Sequence, residues 1–245
     1  MDVLKSIIVW FAGITFMVLF FPVTFLTWLL ALPFDHNRNL THWILTYQAL
    51  LVSYIIPIWN ISIQGREKAS RGVPYVIISN HQSILDILLI NCLRFRFKWI
   101  SKIENKKVPI LGWYLRLAGY ITVDRGDRES KEEMLERSYM CLKQGTSIML
   151  FPEGTRSVDR EIGFFKRGAF QLALKADKPI LPVLIDGTGG VLPKHGFIFS
   201  SGHRIKIRVF DPVPPESFNT DDPDLLAMKF FNFMKEALKD LRSGK

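Results

Sequence analysis

Cysteine is scarce in this chain. Only Cys92 and Cys141 occur in 245 residues, and both sit inside apolar helical patterns. That excludes a disulfide framework and makes a reducing, cytoplasmic setting for the body the simpler expectation. The five histidines, His36, His42, His81, His195 and His203, show no metal-ligand spacing and have no cysteine neighbours, which argues against a zinc site. There is no internal repeat and no low-complexity segment. Charge is nearly missing from the first quarter: residues 1–60 carry only Asp2, Lys5, Asp35 and Arg38, which sum to zero.

The net charge of +9 therefore lies entirely in residues 61–245. An uncharged apolar start joined to a basic body suggests a protein held against anionic lipid. Nucleic acid is the competing partner for a basic body, but no nucleic-acid motif is present, and an apolar N-terminus would serve no purpose there. No charged residue occurs from Ser6 to Phe34 or from Leu40 to Ile63. Each run is long enough to cross a bilayer, which needs about 20 apolar residues. The polar turn 35–39 between them makes residues 1–60 a membrane-associated helical hairpin, spanning or dipping into one leaflet, with two buried helices of a soluble core as the alternative. Pro22 would kink the first helix and Pro57 would end the second. Trp10, Trp28, Trp43 and Trp59 fall near the run ends, where interfacial rings are favoured. Lys5, Arg66, Lys68 and Arg71 place the body on the cytoplasmic side by the positive-inside rule.

Residues 61–245 alternate strands with helices, so they form one α/β domain with a largely parallel sheet. Ile61–Gln64 reads as an edge strand, Pro74–Ile78 as a buried strand and Ile84–Leu93 as an apolar helix. Residues 94–100 alternate basic with aromatic, as in a lipid-facing edge or a half-solvated strand. Ser130 and Glu133 form a capping box before a helix that Gly145 stops. Ser147–Phe151 and Pro179–Ile185 are buried strands, and Arg204–Val209 alternates as an outer strand should. Asp222-Pro223 caps a last helix with Leu226, Phe230, Phe233, Met234 and Leu241 as its core stripe.

Two stretches carry chemistry. In the first, His81 lies where a strand gives way to a helix and Asp86 follows five residues later. Positions five apart on one helix diverge by roughly 140°. The two side chains meet only if His81 precedes the helix and Asp86 sits on its second turn. The carboxylate would then hold one ring nitrogen and leave the other free to accept a proton from a hydroxyl. A helix cap at Ser79 or Asn80 followed by an incidental histidine fits the same residues. In the second, the loop after Phe151 offers Glu153, Gly154, Thr155, Arg156 and Ser157. Strand-end loops in α/β sheets are ligand sites, and arginine suits phosphate.

The ordered blocks Asn80-His81-Gln82-Ser83-Ile84-Leu85-Asp86, Gly119–Arg125, Phe151–Ser157 and Ile180–Val183 resemble the motifs of the glycerolipid acyltransferases, NHx4D and FPEGTRS among them. The resemblance is closest to the branch that acylates 1-acyl-sn-glycerol 3-phosphate. It implies that family's layered α/β fold and transfer of an acyl chain from acyl-CoA or an acylated carrier protein (acyl-ACP) to the sn-2 hydroxyl of lysophosphatidic acid, giving phosphatidic acid. Acylation of another lysophospholipid or of glycerol 3-phosphate, or a non-catalytic lipid-binding role, are the alternatives. By the resemblance His81 is the general base and Asp86 its partner. Glu153, Gly154, Thr155 and Arg156 form the glycerol-phosphate pocket, with Arg125 and Lys102 as further phosphate contacts. For Lys102, a plain surface lysine is the alternative. Backbone N–H groups near the first or fourth block would hold the oxyanion. The thioester drives the reaction, so neither a metal nor a cofactor is implied.

Overall fold

The structure, a computed structural model, describes residues 3–55 and 60–244. Pro57 and Trp59 lie outside the described residues.

Seven strands form one sheet: β1 (Asn60–Gln64), β2 (Val76–Ser79), β3 (Phe97–Lys102), β4 (Ile121–Val123), β5 (Ser147–Leu150), β6 (Ile180–Asp186) and β7 (Arg204–Val209). Their order is β1-β7-β6-β2-β5-β3-β4. Every pairing is parallel except β6 with β7. Because β6, β2, β5, β3 and β4 run the same way, their C-terminal ends open on one edge of the sheet. Ligand loops gather at such edges.

The central strands are apolar on both faces because helices cover both. Val76, Ile78, Ile148 and Leu150 point to the side covered by α5 (Arg128–Lys143), α6 (Gly168–Ala176) and α8 (Pro223–Ser243). Ile77, Met149, Leu181 and Val183 point the other way, toward Leu50, Leu89 and Leu115. Those leucines belong to α2 (Asn39–Ile55), α3 (Leu85–Asn91) and α4 (Leu111–Leu117). A four-residue helix, α7 (Thr188–Val191), follows β6 on this face.

The two N-terminal helices form, joined by a polar turn, but they differ from each other. The first, α1 (Val3–Ala31), holds an 18-residue stretch with a mean hydropathy of 2.2, little of which is buried; among the described residues it is the one helix long and apolar enough to cross a membrane. The second, α2, has a polar strip that faces the body. Thr41, His42 and Thr46 are buried. The His42 ring bonds to the Tyr120 hydroxyl at 3.0 Å and the Phe95 carbonyl at 2.9 Å. A run that reads as uncharged is thus also a docking surface, because neutral Thr and His leave no mark in a charge count. Trp10 likewise serves packing, donating to the Phe197 carbonyl at 2.8 Å.

Four local expectations fail, each for a visible reason. The basic-aromatic strand starts only at Phe97 and lies between β5 and β4, so it is no lipid-facing edge. Its Lys98 is buried, donates to the Ala118 carbonyl at 2.6 Å, and is pushed down to about 8 by desolvation. The cap of α5 is Asp127, which accepts from Ser130 N, while the Ser130 hydroxyl accepts from Asp124 N. An aspartate three residues upstream is as good a cap as serine, so the helix starts earlier. Strand β7 alternates as read, yet β1 covers its far side and takes the edge position. Phe233 falls outside the buried stripe of α8 and packs edge-on against Phe210 instead.

Candidate active site

Buried β2 ends at Ser79, and residues 80–83 form a short turn before α3. This turn is fastened on every side. The Asn80 amide makes two bonds of 2.8 Å with the backbone of Ile185 in β6, donating to its carbonyl and accepting from its N–H. The Ser83 hydroxyl donates to the Leu192 carbonyl at 2.7 Å. The first helical residue is Leu85, and neither Ser79 nor Asn80 caps the helix. Asp86 is therefore in the first turn of α3, one turn earlier than expected.

That shift brings the pair together. His81 Nδ1 lies 2.9 Å from Asp86 Oδ2. The same oxygen accepts from the N–H groups of Gln82 at 2.7 Å and Ser83 at 2.9 Å. Asp86 is fully buried, so its carboxylate is fixed by the turn it closes. The bond to Nδ1 leaves Nε2 as the free ring nitrogen, the arrangement a general base needs. The His81 ring also lies flat on Phe151, with centroids 3.8 Å apart and planes 6° apart. Trp99 backs Phe151 at 5.6 Å. An aromatic face is a favourable neighbour for an imidazolium.

Glu153 is less a ligand group than a brace. Its Oε1 accepts from His81 N at 2.7 Å and its Oε2 from Gly163 N at 2.9 Å. Burial pushes its carboxyl up to about 7, against the pull of those two N–H bonds. The sign follows directly. Below the ordinary value of 4.5 both folded and unfolded chains hold the proton, and burial of this group costs nothing. As pH rises from 4.5 to about 7 the unfolded chain ionises first, so roughly 3 kcal/mol of relative stability is lost, and no more beyond. Chemical denaturation in detergent checks this: the stability of wild type minus that of Glu153→Gln should shrink between pH 5 and pH 8. A constant difference would mean that Glu153 keeps an ordinary carboxyl.

One cavity of about 480 Å³ receives these groups. Its polar wall holds His81, Lys102, Arg125, Thr155 and Arg156, and its apolar wall includes Met17, Leu45, Val52, Ile87, Leu88 and Leu111. Glu153 and Gly154 stand behind this wall and do not line it. Gly154 has φ +72, a left-handed backbone conformation that a Cβ makes costly, so the turn favours glycine. Its carbonyl accepts from Arg125. Lys102 is ion-paired with exposed Glu104 at 2.6 Å. Arg156 differs from both: it is half-buried, and it has no hydrogen-bond or ion-pair partner among the described residues. Also among the described residues, no three His, Cys, Asp or Glu side chains cluster as a metal site would require.

All eight expected site residues thus come to one sheet edge, six of them on the cavity or its dyad and Glu153 and Gly154 as support. Sequence reasoning missed Asn80 as the tie to β6, Phe151 as the ring under His81, and Gln82, whose buried amide reaches Arg160 and Asp186. Only Phe151 had a visible signal, its place at the end of an apolar strand beside the arginine loop.

Known proteins match this arrangement. The acyltransferase family model fits residues 60–186. A chloroplast 1-acyl-sn-glycerol-3-phosphate acyltransferase of Arabidopsis thaliana is 36% identical over 184 residues, 74% of this chain and 51% of its own length. The chain thus spans about half the length of that relative. The human 1-acyl-sn-glycerol-3-phosphate acyltransferase alpha is 34% identical over 202 residues, 81% of this chain and 70% of its own. The crystal structure of the 1-acyl-sn-glycerophosphate acyltransferase PlsC from Thermotoga maritima shares the fold, with a TM-score of 0.81 and 24% identity over 98% of this chain and 96% of that one. Since the matched residues are more than half of the chain and carry both the His81–Asp86 pair and the arginine loop, the chain belongs to the acyltransferase family.

Proposed function

We propose that the protein acylates the sn-2 hydroxyl of 1-acyl-sn-glycerol 3-phosphate with an acyl thioester, either acyl-CoA or an acylated carrier protein, to give phosphatidic acid. The observation that carries this reading is that one cavity holds a histidine nitrogen and an arginine that are both unpaired among the described residues, beside a long apolar wall. The acceptor hydroxyl gives its proton to His81 Nε2 as its oxygen attacks the thioester carbonyl. Asp86 holds the imidazolium that forms, and the flat face of Phe151 supports the same charge. The tetrahedral intermediate collapses with loss of the thiolate, which takes the proton back from His81. The energy of the thioester drives transfer, so the proposed reaction needs no metal or prosthetic group. Arg156 takes the phosphate, with Arg125 and Lys102 at its rim.

The plant and human relatives are both named 1-acyl-sn-glycerol-3-phosphate acyltransferases, which favours lysophosphatidic acid as the acceptor. The exposed apolar α1 fits association with a membrane, where such an acceptor resides. The basic residues beyond the N-terminal helices favour a body on its cytoplasmic side, which protease protection in sealed vesicles checks.

Arg156→Ala is the selective test of the phosphate role. Losing a charge-assisted contact to phosphate is worth about 2–3 kcal/mol, so the KM for lysophosphatidic acid should rise about 30- to 160-fold. The turnover number at saturation should change far less. An unchanged KM would remove Arg156 from the phosphate site.

A further inference from the structure

The loop that carries Thr155 and Arg156 is long. From Phe151 to Arg167 no residue belongs to a helix or strand. Loops of this length usually move unless something fastens them. Three fastenings come from the site itself: Ser157 N donates to the His81 carbonyl at 2.8 Å, Gly163 N to Glu153 at 2.9 Å, and Lys166 N to the Pro152 carbonyl at 2.9 Å.

The fourth comes from elsewhere. Arg160 has φ +67, a backbone conformation costly for a residue with a Cβ. Its carbonyl accepts two donors: Gln82 Nε2 at 3.0 Å and a guanidinium nitrogen of Arg242 at 2.9 Å. The same two side chains also share Asp186 Oδ1, Gln82 at 3.2 Å and Arg242 at 3.0 Å. Arg242 further reaches Glu161, the next residue of the loop. The fork of one arginine in the last turn of α8 thus closes over the loop turn, the end of β6 and the residue beside His81. Such a fork cannot be copied by lysine, whose ammonium is a point donor. Arg242 lies 56 residues beyond the matched family segment, so none of the ordered motifs points to it.

We propose that Arg242, acting through Asp186 and Gln82, is a positioning residue that locks the strained Arg160 turn and thereby holds Arg156 toward the cavity. Its consequence for acceptor binding rests on the phosphate role given to Arg156 above; the mechanical lock does not.

The test uses the full chain in detergent and compares wild type, Arg242→Met, Arg242→Lys and Lys239→Ala by amide hydrogen exchange and by kinetics. Methionine keeps the apolar stem and removes the fork. Lys239 is an exposed neighbour on α8, paired among the described residues with Glu236 alone, and serves as control. Arg242→Met should speed exchange in residues 155–163 by about tenfold, with α8 and the central strands unchanged. It should raise the KM for lysophosphatidic acid about fivefold and leave kcat within about twofold. Arg242→Lys should fall between it and wild type, and Lys239→Ala should match wild type. Should Arg242→Met not fold, Asp186→Asn weakens the same junction from its other side and should give the same local acceleration. Unchanged exchange in 155–163 overturns the lock. So does acceleration spread equally over α8 and the sheet, which would mark a residue of general stability. Local acceleration with an unchanged KM overturns the link from the lock to Arg156 if Arg156→Ala raises the KM, and overturns the phosphate role of Arg156 if Arg156→Ala leaves it unchanged as well.

Discussion

His81→Ala should lower phosphatidic acid formation by about 10³- to 10⁴-fold with the fold intact. General-base assistance contributes on the order of 10²–10⁴, and in the proposed reaction the same imidazole also returns a proton to the leaving thiolate. The loss should fall on kcat, because His81 is not placed to hold the phosphate or the chain; KM for lysophosphatidic acid should stay within a few-fold. The structure gives the reason to expect folding. The backbone of residue 81 is held by its own N–H to Glu153 and its carbonyl to Ser157 N, neither of which needs the ring. What the ring loses is a stack on Phe151 and one bond to Asp86. Thermal unfolding should therefore move little, and a variant that keeps both its melting temperature and its turnover would show that the proton goes elsewhere.

Asp86→Asn should cost nearly as much, about 10²- to 10⁴-fold in kcat, by a different route. Asp86 Oδ2 accepts from His81 Nδ1 and from the N–H groups of Gln82 and Ser83. An asparagine oxygen can replace the carboxylate for those backbone groups. It then shares its site with three donors without a charge to hold them, and its own NH₂ competes for the imidazole. If that NH₂ faces Nδ1, the ring must carry its proton on Nε2 and can no longer act as a base. Thermal unfolding separates this from a simple packing defect: the asparagine oxygen still meets the two backbone N–H groups, so the melting temperature should move little while kcat falls. Asp86→Ala leaves two buried N–H groups without an acceptor and should lose stability as well, which makes it the less informative variant.

Much of this was legible in the chain because the chemistry sits on local patterns. Buried strands next to turn residues located β2, β5 and β6, and the His81–Asp86 spacing allowed one geometry, a contact across a strand-to-helix turn. The two loops that matter could be paired in advance because parallel strands deliver their ends to one edge. What the chain did not disclose depends on distant partners. Asn80 looks like a cap and instead grips Ile185, 105 residues away. Glu153 looks like a pocket carboxylate and instead braces the backbone of His81. His42 and Thr46 sit in an uncharged run and yet face the body, where Tyr120 and Asn91 meet them. Arg242 lies in the polar end of a terminal helix, and nothing nearby in sequence marks it. In each case the deciding partner lies far along the chain, and periodicity reports which face a side chain takes and not what waits there.

The most direct measurement of the central claim is an acceptor panel. Purified wild type would be given one acyl thioester with lysophosphatidic acid, glycerol 3-phosphate or lysophosphatidylcholine, beside His81→Ala as background. The account predicts phosphatidic acid from lysophosphatidic acid, with kcat/KM at least about 100-fold above that of either other acceptor, since one lacks the chain for the apolar wall and the other masks the phosphate that Arg156 would hold. Phosphatidic acid no higher than in His81→Ala, with both acyl-CoA and the acylated carrier protein as donor, would contradict it.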